Sequence, residues 1–224
     1  MFFNLENTRL LEYLPKVIAP ALLATVEMLF FSMLFGLIIG FMVAIALVIT
    51  APGGLSPQKA VYKVLNFIVN MVRSFPVIIL IVAVTPLTRF IVGTSVGGKA
   101  AVVPLTIAAF PVIARLMENA LMEVNRSAVT AARSFGANNL QIIFKVMFVE
   151  ALPSIASGVT FTIIQFLGST TLAGAVGAGG LGAVALTFGY QRFDDVMMYS
   201  IVLILCAMVL IIQNLGTFIY RKLK

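Results

Sequence analysis

Long apolar segments without a single charged residue are the feature that most constrains how this chain can fold. Segments 28–49 and 196–220 hold about 22 and about 25 such residues, and helices of that length cross the roughly 30 Å hydrocarbon layer of a membrane. With 61% hydrophobic and 10% charged residues, the chain of 224 residues is too apolar for a soluble domain. We therefore predict an integral membrane protein.

The predicted fold class is all-α. Each span must satisfy its own backbone hydrogen bonds in lipid, and uninterrupted apolar runs fit helices better than the alternating strands of a barrel. We expect one transmembrane domain over residues 1–224. The five predicted spans are 20–49, 64–87, 100–117, 151–173 and 196–220, with a polar connection at 118–150.

A glycine cluster interrupts the longest uncharged run. Residues 151–191 form about 41 uncharged residues, too many for one crossing. The cluster Gly174–Gly182 is predicted to end the fourth span near Ala173, with a short helix or re-entrant piece over 183–190. Non-helical backbone at that depth is tolerated only where protein or water covers it. The cluster is therefore predicted to lie against a translocation route.

Two spans contain residues that are costly in a membrane. Arg73 lies in the second predicted span, and a cation at mid-bilayer costs about 3 kcal/mol on insertion scales. Its side chain is expected to face the bundle, a neighbour or the interface. Whether Arg73 serves as a snorkelling anchor or as a gate residue stays undecided at this point. The short third span contains Pro104 and Pro111, each lacking a backbone donor. A kinked or tilted helix beside a pathway would tolerate them, and so would a poorly packed helix.

A set of polar side chains near the end of the fourth span provides candidates for lining the route. Small hydroxyl residues also serve as contacts between helices, so both interpretations remain open. The candidates are Gln165, Ser169, Thr170 and Thr171.

The distribution of basic residues predicts the topology. Ten of the 15 Lys and Arg residues, with Arg73 counted among them, fall inside if the Ser56 loop, the connection that begins at Arg115 and the C-terminus are cytoplasmic. The positive-inside rule then places the N-terminus outside and the C-terminus inside the cytoplasmic membrane. We see no removable signal peptide in residues 1–16.

Several function classes are disfavoured. The net charge of +7 comes from basic residues scattered between apolar runs, which does not favour nucleic-acid binding. The chain has no histidine, one cysteine and no paired carboxylates within a predicted span, so we expect no metal site and no intramembrane enzyme. Gly177–Gly182 matches G-x-G-x-x-G but follows a membrane span, so a dinucleotide site is rejected. The sequence contains no phosphate-binding loop for ATP, so the energy for translocation must come from a partner protein or from an ion gradient.

The connection between the apolar halves is predicted to be helix, turn, helix. Gly136 fits the C′ position of a first helix, and Asn138 with Gln141 fits the capping box of a second. Ala128, Ala131, Ala132 and Phe135 recur at helical spacing and form a nearly smooth face. Such a helix either docks into a groove on a partner protein or lies on the bilayer surface.

The residues of this connection resemble the cytoplasmic loop of ABC-importer permeases. The family pattern is Glu-Ala-Ala, three residues, Gly, nine residues, Ile-x-Leu-Pro, and the chain has Ala131-Ala132 followed by Gly136. It has Thr130 in place of the Glu and Val149 in place of the Pro. Arg73 to Pro76 is similar to a second permease motif. The segments Ala173–Gly182 and Gly189–Phe193 are similar to the methionine permeases.

The resemblance implies a type I permease bundle with a cytoplasmic coupling helix, acting by alternating access. It implies a homodimer in membrane lipids, two separate ABC ATPase subunits that bind ATP and Mg, and an extracytoplasmic substrate-binding protein. The substrate would be methionine, a related amino acid or a quaternary amine; a self-sufficient carrier or channel is the other class. The implied coupling residues are Thr130, Ala131, Ala132, Phe135, Gly136 and Asn138. Together with the polar candidates and the glycine cluster described above, the predicted pathway or gate residues are Arg73, Pro76, Gln165, Ser169, Thr170, Thr171, Gly174 and Gly177.

Overall fold

The computed structural model describes residues 13–224 and contains only helices and connecting turns in that range. The α-helices are α1 Ala19–Thr50, α2 Lys59–Ser74, α3 Val77–Ala83, α4 Thr85–Val92, α5 Gly98–Met122, α6 Arg126–Ser134, α7 Asn139–Ile142, α8 Phe148–Ala173, α9 Gly180–Val184 and α10 Asp195–Leu223. Wider π-helical turns join or extend them at Leu14–Ile18, Ile143–Met147, Gly174–Ala178 and Ala185–Tyr190. The predicted all-helical fold class is confirmed.

Four continuous runs within the described residues are long and apolar enough to cross a membrane. They are Leu14–Thr50, Gly98–Met122, Asn139–Ala178 and Asp195–Leu223. The second predicted span, 64–87, is not one continuous helix: α2 and α3 meet at a bend of 103° and together provide a fifth span only as a broken pair.

The bend between α2 and α3 has a local cause. Phe75 precedes Pro76 and adopts an extended conformation, with φ −80° and ψ 131°. The proline ring disfavours a helical conformation of the residue before it, so the helix ends at Ser74. The hydrophobic pattern alone did not reveal this bend, because a long apolar run resumes at Val77, although Arg73 and Ser74 lie directly before the break.

Helix α5 differs from the expected short third span. It runs for 25 residues through both Pro104 and Pro111. It is also well packed, since 61% of its most apolar window is buried. One reason is Gly40 of α1, where an added Cβ would lie 2.8 Å from the Phe110 carbonyl oxygen. The absence of a side chain there lets the two helices approach closely.

The chain divides into two compact units, each with contributions from several helices. The first comprises the described residues up to Met33 with Pro76–Thr106 and Ile163–Ile212. Its core includes Leu181 and Ile201, both fully buried. A further buried cluster in this unit is Met28, Ala101, Leu105, Ala173 and Ala178.

The second unit comprises Leu34–Phe75, Ile107–Thr162 and Gln213–Lys224, and it contains a polar cluster between α2 and α5. Tyr62, Asn66 and Asn70 are spaced four residues apart on one face of α2. The Arg115 guanidinium donates to the amide oxygens of Asn66 and Asn70 and, at 2.6 Å, to the carboxylate of Glu118. The Tyr62 hydroxyl donates to Glu118 at 3.1 Å.

Burial makes this cluster important for stability. Glu118 is 4% exposed and accepts two hydrogen bonds, so its charge is compensated within the protein. Removing one member of a buried ion pair leaves the other charge without compensation. The cluster therefore fixes α2 against α5 within the second unit.

Glu118→Ala is expected to destabilise the protein by about 3 kcal/mol, the lower end of the range for a broken buried pair, because Arg115 retains its two amide acceptors. The thermal midpoint of the purified protein in detergent measures this. Glu123→Ala is the matched control, because Glu123 is exposed and its loss should change stability by no more than about 0.5 kcal/mol. Equal midpoints for the two variants would contradict the assignment.

Candidate functional site

The segment between α5 and α8 folds as the sequence predicts. The Asn125 side chain accepts a hydrogen bond from the Ser127 N–H at 2.9 Å and caps α6. Gly136 follows with φ +80°, the left-handed conformation that favours glycine at a helix C-terminus. The Asn138 oxygen accepts from the Gln141 N–H at 2.8 Å, and the Asn138 N–H donates to the Gln141 side chain at 2.9 Å. The capping box is thereby confirmed.

The six predicted coupling residues lie together at the surface of this segment. Phe135 is 91% exposed, and no atom lies within 4 Å of the position of a Cβ on Gly136. Ala131 and Asn138 are exposed and Ala132 is half-buried. The Thr130 hydroxyl donates to the Arg126 carbonyl at 2.9 Å, within its own helix. The arrangement provides an exposed surface with one protruding ring, and its docking role stays a prediction.

The opposite side of α6 is attached to the rest of the second unit. The Arg133 guanidinium donates to the Leu55 carbonyl in the turn between α1 and α2. A cavity of about 170 Å³ lies behind the helix. Its lining residues are Val48, Gly53, Gly54, Leu55, Leu121, Met122, Val124, Arg126, Val129, Thr130, Arg133 and Met147.

Sequence reasoning missed this attachment, although a signal was present. Arg126, Val129, Thr130 and Arg133 recur at helical spacing and all line the cavity. Ala131, Ala132 and Phe135 do not line it. The short helix therefore has one side held by the chain and another side free.

The glycine cluster forms a true break in the helix. Val176 and Gly177 leave helical conformation, and Gly177 and Gly179 have φ +95° and +79°. The Gly177 carbonyl accepts from the Gly97 N–H at 2.9 Å, and the Leu181 N–H donates to the Thr25 hydroxyl at 2.9 Å. Hydrogen bonds from other segments thus satisfy part of the irregular backbone.

The predicted pathway residues divide by exposure. Ser169 and Thr170 are buried, and the Thr170 hydroxyl donates to the Leu167 carbonyl at 2.7 Å. The half-buried Thr171 donates to Gly168 at 2.6 Å. Gln165 and Gly177 are exposed. Burial favours a packing role for Ser169 and Thr170, whereas Gln165 is available to a ligand or to a second chain.

Gln165 belongs to an exposed stripe on α8 that sequence reasoning did not identify. Helical spacing of three and four residues connects its members, and its middle contains a single amide among apolar and small side chains. The stripe consists of Ser154, Ser157, Phe161, Gln165, Gly168 and Leu172.

The remaining candidates lie elsewhere. Arg73 is exposed in the last turn of α2, where a cation interacts favourably with the helix dipole. Pro76 is exposed at the bend, and Gly174 is buried in the first unit. Their proposed roles at a pathway or gate stay predictions. Within residues 13–224, no three His, Cys, Asp or Glu side chains are placed to hold a metal ion.

Comparisons with known proteins agree with this geometry. Residues 36–224 match the family described as binding-protein-dependent transport system inner membrane component. The chain is 43% identical to the probable D-methionine transport system permease protein MetI of Vibrio cholerae, over 84% of this chain and 83% of that protein. It is 42% identical to the methionine import system permease protein MetP of Bacillus subtilis, over 77% and 78%.

A solved structure shows the same fold. The chain aligns with a TM-score of 0.92 and 40% identity to a chain of the MetNI methionine ABC transporter in an inward-facing conformation. The alignment covers 95% of this chain and 99% of that chain. The predicted resemblance to methionine permeases is confirmed.

Gly182→Ala is expected to disrupt the turn formed by the glycine cluster, because the Cβ of the new alanine would lie 2.5 Å from the Cα and the carbonyl oxygen of Thr171. Backbone atoms there cannot move aside as a flexible side chain would. We expect a loss of about 1–3 kcal/mol of stability, the range for overpacking, measured as a lower thermal midpoint in detergent.

Gly168→Ala is the matched control, since nothing lies within 4 Å of its Cβ position in the exposed stripe. Alanine in a helix interior is favoured over glycine by about 1 kcal/mol, so this variant should be neutral or more stable. A destabilised Gly168→Ala with an unaffected Gly182→Ala would refute the described packing of the turn.

Proposed function

Because the chain belongs to the binding-protein-dependent transport system inner membrane component family, and to the methionine permeases within it, we propose that it is the membrane-spanning subunit of an ATP-driven methionine importer. The observation that carries the proposal is the match over residues 36–224 together with 43% identity to a methionine permease. A related amino acid or a quaternary amine is the alternative substrate. The chain itself is a permease and not an enzyme.

We propose that two copies of the chain assemble with two ABC ATPase subunits, which bind ATP and Mg. The exposed stripe on α8 supports a contact with a second copy, because it places Gln165 among apolar and small residues where lipid alone would leave its amide unpaired. The MetNI structure, an ABC transporter, supports an assembly with an ATPase.

The proposed coupling site is the free side of α6. Ala131, Ala132 and Phe135 would contact the ATPase, with Thr130, Gly136 and Asn138 completing the segment. When ATP closes the ATPase pair, the movement of α6 would pass through Arg133 to the turn at Leu55. Alternation between inward-open and outward-open states would follow from such movements.

The proposed topology has the N-terminus outside and the C-terminus inside. It rests on the excess of Lys and Arg in the segments assigned to the cytoplasm. An extracytoplasmic binding protein would then deliver substrate to the outer face, and lipid would cover the exposed apolar residues of the helices. Our proposed pathway or gate residues remain Arg73, Pro76, Gln165, Thr171, Gly174 and Gly177. For the buried Ser169 and Thr170 we propose a packing role instead.

The test is transport by proteoliposomes that contain the permease, its ATPase and labelled methionine bound to the binding protein. We expect methionine uptake that requires ATP and all three components. Competition by unlabelled D- and L-methionine, glutamine and a quaternary amine identifies the substrate. Uptake by the permease alone without ATP would instead establish a self-sufficient carrier or channel.

Ala132→Glu is expected to weaken association with the ATPase at least about tenfold, because it buries an unpaired charge in the proposed interface. Co-purification and titration of the ATPase against detergent-solubilised permease measure this. Gln58→Glu is the control: it adds a carboxylate at an exposed position outside α6. Unchanged association of a folded Ala132→Glu variant would contradict the proposed coupling surface.

A further inference from the structure

The turn between the π-helical segment Ala185–Tyr190 and α10 exposes two aromatic side chains. Tyr190 is 68% exposed and Phe193 is 85% exposed. Large apolar rings contribute most when they are buried, so a ring that makes little contact with its own chain stabilises the fold little. The turn therefore carries aromatic surface that the chain itself does not cover.

The backbone of Phe193 is strained. Among the residues that the structure describes, it is the one non-glycine with a positive φ, at 55°. This left-handed conformation costs an L-residue about 1–2 kcal/mol and is a genuine outlier for a bulky side chain. Glycine would adopt it without that cost.

Neighbouring contacts hold the strained conformation in place. Before Phe193, the Gln191 N–H donates to the Leu186 carbonyl at 2.9 Å, and the Arg192 guanidinium lies 4.5 Å from the centre of the Phe188 ring. After it, the Asp194 N–H donates to the Phe188 carbonyl at 3.2 Å, and its carboxylate accepts from the Met197 N–H at 3.0 Å.

A fixed, strained and exposed ring fits a protein partner better than a lipid surface. A phenylalanine at a fluid interface requires no particular backbone conformation, whereas a protein pocket requires the ring at one position. Backbone strain that the surrounding structure maintains occurs preferentially at functional sites. Preorganisation of the ring also removes part of the entropic cost of binding.

We propose that Phe193 is the anchor that the extracytoplasmic binding protein receives in an apolar pocket on its surface. The inference rests on the proposed function and topology, which place this turn outside. The partner supplies an apolar pocket for Phe193 and polar groups at its rim for the Tyr190 hydroxyl. Central aromatic anchors of this kind carry a large share of the binding energy in protein interfaces.

Phe193→Gly tests the proposal, because it removes the ring and relieves the backbone strain together. We expect an equal or higher thermal midpoint and an apparent affinity for the binding protein at least about 30-fold weaker, as for an interface hot spot. Titration of the binding protein against the permease–ATPase complex, with ATP hydrolysis and direct binding as readouts, measures the shift. A thermal midpoint that falls would show that the ring supports the fold and would overturn the proposal.

Phe90→Ala is the matched control, because Phe90 is 87% exposed but lies in α4 with ordinary helical backbone. It should bind the binding protein with wild-type affinity. Equal affinities of Phe193→Gly and wild type, or equal losses in both variants, would overturn the assignment of Phe193 while leaving the proposed function intact. A wild-type complex that transports without any binding protein would overturn both.

Discussion

The satisfaction of backbone hydrogen bonds in a membrane is the constraint on which this structure depends. Most of the described chain meets this constraint with continuous helices. The glycine cluster Gly174–Gly182 interrupts the helix and relies on hydrogen bonds from other segments. There the Thr25 hydroxyl accepts from Leu181 while donating to the Ala21 carbonyl at 3.0 Å, and Gly97 donates to Gly177. Residues distant in sequence thus make an interruption of the helix tolerable within the first unit.

The short helix α6 shows how one segment can serve two contacts. Its charged side lines the cavity and is held to the chain by the hydrogen bond from Arg133 to Leu55. Its opposite side, which carries the alanines, is exposed at Ala131 and half-buried at Ala132. A helix of nine residues is too short to be stable alone, so caps at both ends and the attachment must maintain it. Order at the free surface therefore depends on contacts made on the opposite side.

Local signals in the sequence were sufficient for much of the fold. Apolar runs located the long helices, and Asn138, Gln141 and Gly136 predicted the turn because capping involves neighbours only. The bend at Pro76 and the partners of Arg115 were not predicted. The bend follows from Pro76, a local signal that was not applied to this span, whereas the partners of Arg115 depend on which helices meet. For the pathway candidates, residue type could not separate hydroxyls used by their own helix from the exposed amide of Gln165.

Burial differs sharply between two of the membrane-spanning helices. The most apolar window of α5 is 61% buried, whereas that of α10 is 11% buried. Positions that face lipid need only remain apolar, while positions inside a packed unit must also keep their volume. We therefore expect homologous sequences to exchange Leu, Ile, Val and Phe more often along α10 than along α5, and α5 to be the better conserved of the two helices.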